Sequence, residues 1–229
     1  MLSWKRSLSF LAIMTRPEEP SITSIVKQQI GILATFVILF WGIQIINVSG
    51  LSCLVGNAGV VGRCPTRLIG TCNLIRFGII PHNFIGLRGV LFAPFIHGGF
   101  GHLIANTIPF IVLGWLVMLQ ETRDFWIVTA FTMIIGGLGT WVFGMPCSFH
   151  IGASILIYGY LGFLLFRGYY ERNLMSILLS IVVFSLYGGV IWGVLPTQPG
   201  VSWQGHLFGF IGGIIAAKYI GKARRALRD

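Results

Sequence analysis

Six runs of mostly apolar residues divide the chain, at about 28–48, 101–120, 125–145, 152–166, 174–195 and 204–221. A helix needs about 20 such residues to cross a bilayer, so the pattern predicts six membrane spans. The fourth and sixth runs are short or rich in Gly, which predicts ends lying inside the membrane thickness. Between the first and second runs, residues 49–100 are too polar and too often broken by Gly and Pro to span. Apolar patches at 68–69, 77–80 and 90–95 make that segment a structured, partly embedded loop with short helices. No internal repeat or low-complexity tract interrupts this plan.

Composition agrees with the pattern. The 229 residues are 55% hydrophobic and only 10% charged, against roughly 25% charged in soluble domains. With a mean hydropathy of +0.84, the expectation is an all-α polytopic membrane protein. Thirty-one Gly and seven Trp suit closely packed helices with aromatic anchors at the interfaces.

The net charge of +10 does not form a nucleic-acid surface, because the basic residues sit in short clusters between apolar runs. That is how a membrane protein fixes its orientation. An even number of spans puts both termini on one side. Twelve of the 16 Lys and Arg then share that side, and Arg63, Arg67, Arg76 and Arg88 lie on the other. The positive-inside rule places both termini in the cytoplasm, and the expected location is the plasma (inner) membrane. Residues 1–27 read as an N-terminal arm, 28–221 as the membrane domain with outer loop 49–100, and 222–229 as a basic tail. The arm has Lys5 and Arg6 before a short apolar stretch but no small-residue cleavage site, so an interfacial arm is expected in place of a removed signal peptide.

This topology puts all five His on the outer side. It also gives the second, fourth and sixth spans one direction, each starting at the outer face. His102, Ser154 and His206 fall within the first turn or so of those spans, so three separated polar residues arrive at one depth.

A serine attacks a carbonyl only when a base takes its proton and donors hold the oxyanion. His206 is the candidate base. Gly205, Gly209 and Gly213 follow it four apart, so that the sixth span can approach a neighbour closely, with Gly159 and Gly162 offering a flat surface on the fourth. The same glycines could be ordinary packing, with His206 bonded to a carbonyl. His102 and Asn106 lie four apart on one helix face, and both can donate hydrogen bonds to an oxyanion, together with the Ser154 backbone N–H. Polar side chains inside a membrane are expensive and tend to be functional.

The motifs His97-Gly-Gly-Phe-Gly-His102-Leu-Ile-Ala-Asn106, Gly152-Ala-Ser154 and Gly205-His206-Leu-Phe-Gly209, in that order, resemble the rhomboid family of intramembrane serine proteases. The resemblance covers about residues 86–213. It implies a six-helix rhomboid-like bundle and a Ser154–His206 dyad without an acidic third member, with His102 and Asn106 binding the oxyanion. Tyr158, one turn after Ser154, matches the family's aromatic residue stacked on the base. Leu87-Arg88 matches the place of its Trp-Arg pair, with Leu replacing Trp. The family implies cleavage of membrane-anchored protein substrates near the outer leaflet, with the lipid bilayer as surroundings and no cofactor.

The sequence departs from the family beside the nucleophile, where Ile155 replaces a glycine. A catalytically weak or inactive adaptor that binds single-span clients is therefore the alternative reading. His150, four residues before Ser154, is a competing base or a loop histidine. His97, His102 and His206 lack an acid or Cys to complete a catalytic zinc shell, so no metal is expected. All six acidic residues lie on the cytoplasmic side, which argues against an aspartyl or zinc protease. Cys53, Cys64, Cys72 and Cys147 lie on the outer side; four Cys allow three full pairings, and isolated thiols are equally open.

Overall fold

The computed structural model describes residues 21–49, 74–198 and 200–228. Among these residues the chain is helical throughout, and its one β-type contact is an isolated bridge between Ile79 and His150. Six long helices carry the fold: α1 (Ile22–Val48), α2 (Phe100–Met118), α3 (Thr122–Phe143), α4 (Ser154–Glu171), α5 (Leu174–Tyr187) and α6 (Trp203–Ala226). By length and composition, α1, α2, α3 and a helical stretch made of α5 and its extension (Leu174–Val194) could each cross a membrane.

Helix α1 begins at a Ser21 cap whose hydroxyl accepts the Ser24 N–H at 3.2 Å, six residues before the apolar run does. Its buried positions Gln29, Leu33, Phe36, Phe40 and Gln44 recur at three- and four-residue spacing, which makes one helix face. Gln29 on that face donates to the Met118 carbonyl at 3.1 Å and accepts from Trp115 Nε1 at 3.1 Å, pinning α1 to the end of α2. The loop 74–99 is built of short helical turns, including the run Phe84–Phe95.

Helix α4 is the centre of the bundle. Leu156, Tyr160, Leu161, Phe163 and Leu164 on several of its faces are fully buried, as expected for a helix apolar all round and surrounded by neighbours. Its most extensive contact is with α6, and glycines make that contact possible. A Cβ on Gly213 would run into the Gly159 carbonyl, one on Gly209 into the Ile155 carbonyl, and one on Gly162 into the Phe210 carbonyl. Gly205, the first of the three spaced glycines, faces elsewhere, meeting the Ser202 hydroxyl and Thr140. Helix α5 is peripheral: Leu174, Met175, Ile181, Phe184 and Leu186 are all more than half exposed, an apolar surface suited to lipid.

Helix α3 is interrupted by a π-helical turn, Thr132–Gly136. The extra residue in such a turn widens the helix locally, and both α4 and α6 press into the place. A Cβ on Gly136 would lie 2.8 Å from Ile155 Cδ1, and one on Gly212 would lie 3.0 Å from Thr132 Cα.

Helix α4 runs to Glu171 and α6 to Ala226, beyond the apolar runs that mark them, because the charges there pair with one another. Arg167 is fully buried, 3.0 Å from Glu171 and 3.6 Å from Asp124. Arg224 reaches the same two acids at 2.5 and 2.6 Å, and Glu121 at 3.4 Å. Burying charge is tolerated when it is paired and hydrogen-bonded. This cluster binds α3, α4 and α6 together at the end opposite Ser154.

Candidate functional site

Ser154 is the first residue of α4. The chain reaches it through Gly152, whose φ of +113° is a conformation that glycine alone adopts readily. Gly152 donates its N–H to the Ala93 carbonyl at 2.9 Å, and Ala153 donates to His97 Nε2 at 3.4 Å. The turn before Ser154 thus rests on the loop 93–97. His97, fully buried, serves here as a brace, a role that its place at the head of the His97–Asn106 motif did not by itself reveal.

His102 lies in the first turn of α2, and its ring closes over Gly152. A Cβ on Gly152 would stand 2.8 Å from His102 Nε2 and 3.6 Å from the Ser154 hydroxyl. The bare glycine is therefore what lets the His102 ring and the Ser154 hydroxyl share one place. Asn106, buried one turn on, donates one amide N–H to the His102 carbonyl at 2.9 Å, leaving its second N–H uncommitted to that bond.

His206 lies in the first turn of α6. Its Nδ1 is 2.8 Å from the Gly193 carbonyl. A carbonyl can only accept, so Nδ1 carries the proton and a neutral ring presents Nε2 as a lone-pair acceptor. Tyr158 stacks on this ring at 4.0 Å between centroids and 10° between planes. Its hydroxyl donates to the Val190 carbonyl at 2.8 Å. Both carbonyls come from the 3-10 segment Gly188–Val194 that extends α5.

Ser154 and Gly205 line a small cavity of about 10 Å³, together with Thr140, His150, Ile151, Gly152 and Ser202. Room of that size corresponds to about one water molecule. Among the described residues no hydrogen bond joins the Ser154 hydroxyl to His206. Ile155, which follows Ser154, is buried, packs against Gly136 and Gly209, and lines the same cavity. Both ring nitrogens of His150 are taken, by Ser148 at 2.8 Å and Ser202 at 2.6 Å, which leaves no ring nitrogen free for Ser154. Arg88 donates to the Arg76 carbonyl at 3.0 Å and lies over the Phe77 ring, so it braces the loop.

Among the described residues no three His, Cys, Asp or Glu side chains gather to hold a metal. Cys147 is disulfide-bonded; Cys53, Cys64 and Cys72 lie outside the described residues.

Residues 86–223 match the family model of the Rhomboid domain. The chain belongs to the rhomboid family. This rhomboid is 45% identical over 159 residues to an uncharacterized protein of Mycobacterium tuberculosis (strain ATCC 25618 / H37Rv), covering 66% of each chain. It is 46% identical over 150 residues to an uncharacterized protein of Mycobacterium leprae (strain TN), covering 62% of this chain and 59% of the other. A Bacillus subtilis (strain 168) protein provisionally named a rhomboid protease, YdcA, is 28% identical over 127 residues, covering 52% of this chain and 60% of the other. The chain thus spans just under two thirds of the length of the curated relatives it matches. No solved structure matches it. With its apolar helices and this family, the protein is an integral multi-pass membrane protein.

Proposed function

We propose that this rhomboid is an intramembrane serine endopeptidase with Ser154 as nucleophile and His206 as base. The observation that carries the reading is the His206 ring, clamped by Tyr158 and Gly193 so that its lone-pair nitrogen Nε2 is the one left for a hydroxyl. The Ser154 oxygen attacks a substrate carbonyl carbon while its proton passes to Nε2. His102, the second Asn106 N–H and the Ser154 backbone N–H receive the oxyanion. Collapse breaks the C–N bond, His206 returns the proton to the leaving amine, and water then hydrolyses the acyl-enzyme with His206 again acting as base. Apo hydrogen bonds at such sites are often open and tighten on substrate, which accommodates the resting separation of Ser154 and His206.

On this reading the six helices all span the plasma membrane, with both termini cytoplasmic and the site near the outer leaflet. Substrates are membrane-anchored proteins whose helix opens easily, because a hydrogen-bonded helix hides its carbonyls. The test is cleavage of a quenched transmembrane substrate by the purified protein. Ser154→Ala and His206→Ala should each abolish turnover, and turnover retained in either removes that residue from the dyad.

The unmade Ser154–His206 bond and the bulk of Ile155 favour one other reading, a non-catalytic adaptor holding single-span clients. A fluorophosphonate separates the two: labelling of Ser154 supports the protease, and clients that co-purify with unlabelled, folded protein support the adaptor.

A further inference from the structure

His150 is a buried histidine that the proposed chemistry does not use, yet four hydrogen bonds converge on it. Its backbone pairs with Ile79 in both directions, at 2.9 and 3.0 Å. Its ring bridges Ser148 and Ser202, and Ser202 is the N-cap of α6, accepting the Gly205 N–H at 3.3 Å. The Ser202 carbonyl accepts the His206 N–H at 3.1 Å.

The protons along this chain can be placed. The Ser148 hydroxyl donates to the Met145 carbonyl, so its oxygen can only accept from His150. Nε2 of His150 therefore carries the proton, and Nδ1 of the neutral ring accepts. The Ser202 hydroxyl must then donate to Nδ1, which turns its lone pairs towards the Gly205 N–H. Each hydroxyl and ring nitrogen from Ser148 to Ser202 thus has a defined role as donor or acceptor. One 2.6 Å bond so joins the loop that leads into Ser154 to the helix end that carries His206.

We propose that His150 is a positioning residue, which through the Ser202 cap fixes the first turn of α6, and with it the His206 ring, against the Ser154 loop. This rests on the reading of His206 as base. The two stretches belong to different helices and have no covalent reason to keep their register. The α4–α6 glycine contacts set the spacing of the helix bodies, whereas the cap sets the rotation of the first turn.

Isosteres supply the test. An Asn at 150 offers its carbonyl where Nδ1 stood and keeps the bond from Ser202, whereas a Gln reaches towards Ser148 and does not. His150→Ala and His150→Gln should lower kcat roughly tenfold with KM unchanged, and His150→Asn should recover most of the loss. Ser202→Gly keeps an acceptable cap residue but removes the link, so it should reproduce the loss in a folded protein, and adding His150→Ala to it should cost nothing more. Hydrogen exchange over residues 203–206, which needs no activity, should quicken about five- to tenfold in His150→Ala and His150→Gln, the factor of one hydrogen bond, and not in His150→Asn. Equal behaviour of Asn and Gln, or unchanged exchange, overturns the link. Faster exchange with unchanged kcat overturns the positioning of the base. Cleavage that survives His206→Ala instead defeats the dyad itself, and the exchange arm still judges the link separately.

Discussion

The Tyr158 ring lies flat on His206, 4.0 Å apart and 10° from parallel, and both side chains hand their polar hydrogens to carbonyls of one 3-10 segment. The stack and the two bonds restrain His206 in both tilt and rotation. Tyr158→Phe keeps the stack and loses the Val190 bond, worth about 1 kcal/mol, so kcat should fall about fivefold. Tyr158→Ala also loses the stack, a further ~1 kcal/mol, and should fall by roughly thirtyfold. Steady-state cleavage of a transmembrane substrate measures both, and equal effects would detach the ring from the base.

His102 and Asn106 should matter to the transition state more than to binding. Removing one oxyanion donor costs about 10²–10³ in kcat at preorganised sites. His102→Ala and Asn106→Ala are expected in that range with KM little changed. A change confined to KM would make them substrate contacts.

Ile155 fills the space between the π-turn of α3 and α6. Ile155→Ala should lower stability by about 2–5 kcal/mol through the cavity left behind. Gly136→Ala, which would push a Cβ to 2.8 Å from the Ile155 side chain, should cost about 1–3 kcal/mol by overpacking. Thermal unfolding in detergent reads both. A stable Ile155→Ala protein would show that the side chain is not packed there.

At the other end of the bundle, Glu171→Gln removes a carboxylate from both Arg167 and Arg224. Breaking a buried pair costs about 3–5 kcal/mol, so stability should drop steeply. Activity per folded molecule should persist, because the cluster lies far from Ser154. A loss of kcat at full stability would mean that the two ends are coupled.

His150 should make stability depend on pH. It lies in the loop ahead of α4, and burial lowers its pKa from the usual 6.5 to about 4. The unfolded chain then binds a proton at a higher pH than the folded one. The contribution is complete above about pH 6.5 and is lost as pH falls towards 4, amounting to about 2 kcal/mol by pH 5. Unfolding midpoints from pH 7.5 to 5 should fall more in the parent than in His150→Asn, and parallel curves would contradict this.

The positions of the helices were legible from the apolar runs, since the membrane solvent demands them, and the spaced motifs carried the family. Their ends were less so. Residues 167–171 and 222–226 read as boundaries because they carry charge, yet they continue α4 and α6, where Arg167 and Arg224 pair with Asp124 and Glu171. Gly205 looked equivalent to Gly209 and Gly213 by spacing, but it faces the Ser202 cap and Thr140 instead of α4. Ile155 looked like an obstruction, and only the π-turn in α3 shows where its side chain goes.

The sequence by itself determined that the chain lives in a membrane, where its helices run, and which polar residues stand at the starts of the second, fourth and sixth of them, because hydropathy and helical period are local properties. The tertiary structure alone decided which nitrogen of His206 is free, how the Gly152 turn brings the His102 ring beside Ser154, and that His150 answers to Ser202. Those facts depend on the rotation and register of one helix against another. Contacts between residues tens of positions apart set them, and no local pattern records those contacts.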